Sequence, residues 1–322
     1  PSGNATVMEA RRSGLIKEVV KYLDKNLPAG YQVDGNNDGI VDNLTIVLSG
    51  TSALGNTHLL WPQRQNYILG DSIQGKRVVS FLMVFDESNG FKLGAENPNM
   101  PLNTGVLCHE MSHNLGTYDL YHNAKDGLNP VGVWDLMSNI QPVAQHMTAY
   151  TKWRYCHWID SIPTISTPGT YRLNPIGGDD STKIAYKIQP VGRREYFVIE
   201  YRKKEGFDAS LPESGLIVYR VNPDLTGGNL AYNGTTRLDE QYIFRPGGTT
   251  TSDGDLSRAA FSADNGRTAF GGAAAQRPFY SDGTEANFAI ANISAVGEYM
   301  TFDLLQSANR VVLSETAVTL GG

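Results

Sequence analysis

Residues 105 to 119 read Gly-Val-Leu-Cys-His-Glu-Met-Ser-His-Asn-Leu-Gly-Thr-Tyr-Asp, and few backbones satisfy that spacing. If Val106 to Leu115 is a helix, His109 and His113 stand one turn apart on one face, where both imidazoles reach a single ion. Glu110, one step round, can touch a water at that ion without being a ligand. Leu107, Met111 and Leu115 repeat at helical spacing on another face, which predicts a buried apolar stripe. Gly116 permits the left-handed residue that ends a helix, so the chain can turn back and present Asp119 as a third ligand. Two histidines and a carboxylate leave the fourth tetrahedral position to water, the open arrangement of a catalytic zinc site. The competing reading is a core helix with hydrogen-bonded histidines, and the glycine and aspartate that follow in register weigh against it. His122, three residues beyond Asp119, is the reserve ligand.

The 322 residues exceed the roughly 250 to 300 at which a single core usually stops growing, so two domains are expected. With 34 glycines and 15 prolines, turns and β-structure should dominate. No run reaches membrane-spanning length. The net charge is −6 and basic residues come in short pairs such as Arg11-Arg12 and Lys203-Lys204, which argues against nucleic acid as a partner. Cys108 and Cys156 are too few for a disulfide scaffold, although a bridge between their two helical stretches is conceivable. The chain opens on Pro1 without a signal peptide, as a trimmed piece of a longer precursor would.

In chain order, Met8 to Leu27 predicts an amphipathic helix with Leu15, Val19, Tyr22, Leu23 and Leu27 on its apolar side, closed by Pro28. Asp34, Asn36, Asp38, Ile40 and Asp42 follow the alternation of an EF-hand loop, with Gly39 at the turn, and are candidate calcium ligands. The closing glutamate of such a loop is replaced by Thr45. Leu44 to Leu48 and Val78 to Phe85 are apolar runs expected as buried strands. His58 to Arg64 is turn-rich, and Glu87 to Pro101 is a polar loop leading to the histidine helix. From Ser161 the pattern becomes short alternating runs, 170–173, 183–188, 195–201 and 215–220, the strands of a sandwich. Residues 226–276 lack periodicity and are expected as an irregular surface insertion.

His109 to Asp119 followed by Trp134-Asp135-Leu136-Met137 resembles the M6 family of secreted metallopeptidases, the immune inhibitor A type, which are metzincin-like. The resemblance extends to 34–44, the Trp61-Pro62 loop, 145–153 and the β-rich region downstream, although Gln63 stands where many relatives carry histidine. It implies an α+β fold: a metzincin-like catalytic domain of mixed sheet plus active-site helix over 1–160, then a β-sandwich over 161–306. Residues 307–322 are expected as a linker or the truncated start of a bacterial immunoglobulin-like domain. It further implies Met137 in a turn beneath the zinc and a secreted or cell-surface location. The expected activity is zinc-dependent endopeptidase action on protein or glycoprotein substrates, with Glu110 as general base. The alternative is a catalytically weak or inactive cell-surface adhesion or glycoprotein-binding protein that keeps the zinc scaffold, against which the intact Glu110 argues.

Overall fold

The computed structural model describes residues 5–49, 62–86, 104–122, 126–225, 227–229 and 239–306. The expected loop over 87–101, most of the turn-rich 58–64 stretch and the immunoglobulin-like tail over 307–322 lie outside them. The chain is of α+β class, mostly sheet with few helices. It divides into two compact units, residues 1–117 with 140–144, and residues 118–139 with 145–322.

In the first unit, helix α1 (Ala5–Asn26) precedes strands β1 (Thr45–Leu48), β2 (Gln63–Asn66), β3 (Ser72–Ile73), β4 (Lys76–Arg77) and β5 (Ser80–Phe85), followed by helix α2 (Thr104–Ser112). The three-stranded sheet has the order β1-β5-β2, with β1 parallel and β2 antiparallel to β5. Side chains alternate across a strand, so β5 serves two layers. Phe81 and Met83 join Ile16 and Val20 of α1 and Ile46 in one core cluster. Leu82 and Val84 face the other way and cluster with Val106 of α2, with Leu107 and Ile140 packed alongside. The histidine-bearing helix is thereby seated on the central strand of its sheet.

Three expectations for this unit change. Val19, Leu23 and Leu27 of the expected stripe pack against the core, but its centre is Ile16 and Val20, the fully buried residues among those of α1 whose side chains are described, while Tyr22 is 66% exposed. Strand β1 is half exposed, with Val47 at 53%, since it forms a sheet edge and only one of its faces meets α1. The polar β2 carries no apolar alternation and is formed by edge pairing to β5.

The second unit holds helix α3 (Ala149–Arg154) and two four-stranded antiparallel sheets. One contains β7 (Ala185–Ile188), β8 (Tyr196–Arg202), β9 (Gly215–Val221) and β10 (Gln241–Ile243), in the order β10-β9-β8-β7. The other contains β6 (Gly169–Leu173), β11 (Phe270–Gly271), β12 (Ala289–Ala291) and β13 (Met300–Gln306), in the order β11-β12-β13-β6. Phe197, Ile199 and Val218 from the first sheet and Leu173, Phe270 and Phe302 from the second belong to one apolar cluster, the packing of a sandwich.

Strands β8 and β9 are buried at every position, so their second face is covered as well. Cover comes from Trp134 and residues 146–150. Ala149 N–H donates to Glu200 Oε2 at 2.7 Å, Tyr150 N–H donates to the Tyr219 hydroxyl at 3.2 Å, and Arg202 donates to the carbonyls of Trp134 and His146. These bonds explain why 118–139 and 145–160 group with the β-rich unit, where the sequence placed them with the histidine helix. Among the described residues no helix is long and apolar enough to cross a membrane.

Candidate metal centre

Helix α2 ends at Ser112, and His113 to Leu115 continue as one 3-10 turn. Gly116 caps that turn in the left-handed region at φ 92°, its N–H bonded to the His113 carbonyl at 3.1 Å, as the sequence requires of a chain that must reverse there. Thr117 N–H then reaches back to the Ser112 carbonyl at 3.4 Å. The turn is tied to the sheet by Asn114, which accepts from Arg64 Nε at 3.1 Å and donates to Asn43 Oδ1 at 3.2 Å.

The burial of α2 differs from the expected stripe. Met111 and Leu115 are 43% and 46% exposed, whereas His109 and Glu110 are 3% and 8% exposed. The helix turns Val106 and its polar pair inward, because it meets the sheet near its N-terminus. There Gly105 lets the backbone approach so closely that a Cβ would lie 1.8 Å from the Gln141 carbonyl oxygen.

Within this one short stretch His109, His113 and Asp119 offer donor atoms that all lie within 4.8 Å of one another. Among the described residues they form the group of histidine, cysteine or acidic side chains that could hold a metal ion. Tetrahedral ligation at about 2.0 to 2.2 Å brings donors to roughly 3.3 to 3.6 Å apart, a difference that side-chain torsions span. The two imidazole rings sit edge to face, 4.9 Å between centroids and 87° between planes. His113 Nδ1 lies 3.0 Å from the Thr117 carbonyl. A carbonyl only accepts, so Nδ1 carries the proton and the lone pair is placed on Nε2, the tautomer a metal ligand needs. Glu110 is adjacent in sequence and is not one of the three donors.

Met137 is fully buried in a turn that follows the 3-10 helix Gly132–Trp134. Asp135, wholly buried, shapes the turn: its carboxylate accepts from Met137 N–H at 2.8 Å, Thr148 N–H at 2.8 Å and the Thr151 hydroxyl at 2.9 Å. Burial raises its pKa against those bonds. The Met137 carbonyl in turn accepts from Leu120 N–H at 2.7 Å, one residue past Asp119.

His122 stands outside the metal group. Its Nδ1 lies 2.6 Å from Asp126 Oδ2 and its Nε2 lies 2.6 Å from Asp239 Oδ1, so both ring nitrogens are turned to carboxylates. Burial lowers its pKa, and the two carboxylates, Asp239 foremost, outweigh burial and raise it above the ordinary histidine value. With both ring nitrogens turned to carboxylates, His122 is held apart from the group of donors that could take a metal, so the reserve ligand is not among the converging side chains.

The EF-hand-like loop is closed by its own hydrogen bonds. Asp34 accepts from Asp38 N–H, Gly39 N–H and the Lys76 ammonium, the last at 2.7 Å, and Lys76 holds its carboxyl below the usual carboxylate range. Asn36 Oδ1 accepts from Asp38 N–H, Asp38 Oδ1 from Ile40 N–H and Asp42 Oδ2 from Gly35 N–H. Asp34, Asp38 and Asp42 do not form a group of three converging acidic side chains, and the Lys76 ammonium is paired with Asp34. Cys108 and Cys156 are free thiols, and burial raises the pKa of both.

Sequence reasoning missed Asp135 as the residue that sets the Met137 turn, and Asn229, whose N–H donates to the Asp119 carbonyl at 3.0 Å. The Trp-Asp-Leu-Met run carried a signal for the first; an isolated asparagine inside an aperiodic segment carried none for the second. The chain matches no protein-family model and no curated protein.

Proposed function

We propose that the chain is a zinc-dependent endopeptidase that hydrolyses peptide bonds of extracellular proteins. The observation that carries this reading is the convergence of two imidazoles and a carboxylate, with a buried glutamate beside them that is not among the donors. Nitrogen and carboxylate donors in that number suit zinc, which when bound lowers the pKa of water to about 7 and polarises the scissile carbonyl.

The protein's own residues divide the remaining work. His109, His113 and Asp119 hold the metal, and the Thr117 carbonyl keeps His113 in the ligating tautomer. Glu110 takes a proton from the attacking water and passes it to the leaving amine, so that neither hydroxide nor an amide anion has to form free in solution. Met137 packs in the Asp135 turn and fixes the backbone next to Asp119. The resemblance of residues 109–137 to M6 peptidases, and the appended sandwich, support a polymeric protein or glycoprotein substrate.

The test is cleavage of casein by the purified chain with and without a strong chelator. Cleavage should cease on chelation and return on adding one equivalent of zinc. Chelator-resistant cleavage, or stoichiometric zinc without cleavage of casein or a diverse peptide library, would count against the peptidase reading.

A further inference from the structure

The geometry points to Asn229 as the positioning residue for the carboxylate arm of the metal centre, with Gly228 as the residue that lets it approach. This inference rests on the proposed ligand role of Asp119. Asn229 comes from the segment expected to be an irregular insertion, yet it is fully buried. Its backbone N–H donates to the Asp119 carbonyl at 3.0 Å. Its Nδ2 donates to the Leu120 carbonyl at 3.0 Å and to the Gln241 carbonyl at 2.9 Å, and its Oδ1 accepts from Gln241 N–H at 3.1 Å. Both amide hydrogens and the amide oxygen are thus used, and they tie residues 119–120 to the first residue of β10.

Only asparagine fits this role. Aspartate would turn a carboxylate oxygen toward two carbonyls, and alanine would leave those carbonyls buried without the side-chain donor. Gly228 adopts φ +77°, and a Cβ there would lie 2.2 Å from the Asp119 carbonyl oxygen, so the contact is backbone against backbone. Gly228 is itself anchored by donating its N–H to Glu240 Oε2 at 2.7 Å. From the other direction the Met137 carbonyl holds Leu120 N–H. The backbone on either side of the 119–120 peptide is therefore fixed by three hydrogen bonds. An aspartate has two side-chain torsions, so where its oxygen can reach is set chiefly by its backbone, and partners of this kind typically govern metal affinity by about 10- to 100-fold.

The test is zinc affinity of the full chain, by competition with a chromogenic chelator, for the wild type and for Asn229→Ala, alongside thermal unfolding of the metal-free and zinc-loaded forms. Asn229→Ala should raise the zinc Kd about 10- to 100-fold and shrink the zinc-induced rise in Tm. Both variants keep the backbone N–H bond to Asp119; Asn229→Ser, which also keeps a small polar group, should give a smaller change in the same direction and is read in place of alanine if that variant does not fold. A purely structural asparagine would lower both melting temperatures together and leave Kd unchanged, and that result would overturn the inference while the metal site stands. A wild type without measurable zinc affinity would overturn both.

Discussion

Glu110→Gln is expected to lower peptide cleavage by about 10³-fold or more, within the range general acid–base groups supply, while the variant keeps its zinc. Glutamine matches glutamate in size and keeps a hydrogen-bonding head, so a side chain only 8% exposed is replaced without opening a cavity. What is lost is the capacity to accept a proton. Because Glu110 is not in the group His109, His113 and Asp119 that could hold the metal, zinc content should stay at the wild-type level. Parallel measurement of casein turnover and bound zinc separates this outcome from simple unfolding. Retained turnover would assign the base to another residue, and lost zinc would make Glu110 part of the metal's support.

Arg202→Met should be the most destabilising single change among those considered. The Arg202 guanidinium is fully buried and donates to Asp208 at 2.7 and 2.8 Å, to the His146 carbonyl at 3.0 Å and to the Trp134 carbonyl, with Glu200 Oε1 at 3.5 Å. Methionine fills much of the volume but leaves Asp208 and Glu200, 2% and 0% exposed, without the cation that offsets their burial. Breaking a buried pair in this way costs about 3 to 5 kcal/mol. Burial alone would raise the Asp208 pKa, and Arg202 outweighs it and holds the carboxyl below its ordinary value. A depressed folded pKa gives stability that is present above the unfolded value and is lost as pH falls through the folded one. In the variant the orphaned carboxylate takes up a proton at higher pH. Urea unfolding at a series of pH values should therefore show a deficit that is largest near neutrality and narrows on acidification. A deficit independent of pH would mean that packing, and not charge, is what Arg202 supplies.

The parts of this molecule legible in the sequence are those written in local spacing. The histidines at i and i+4, the left-handed glycine at 116 and Asp119 three residues on all constrain one short stretch, and the structure brings those donors together. The alternating runs of 170–220 became strands because a period of two commits a segment to a sheet wherever it packs. Local spacing misled where two apolar stripes were available. Leu107, Met111 and Leu115 make a valid helical face, but Gly105 and Val106 decide which side of α2 meets the sheet, and that depends on Gln141 and Leu82, distant in sequence. Likewise, the spacing of the oxygen-rich loop after Asp34 gives no sign of the Lys76 ammonium that pairs with Asp34 from 42 residues away. Asn229 is the extreme case, since its role exists only once β10 and the Asp119 turn are side by side.

Zinc K-edge X-ray absorption on the stoichiometrically loaded chain reads the ligand set itself. One zinc per chain is expected, with light-atom donors at about 2.0 to 2.2 Å, two imidazoles among them, and no sulfur shell. A sulfur shell at about 2.3 Å, which would bring Cys108 or Cys156 to the metal, or the failure of the chain to retain zinc at all, would contradict it.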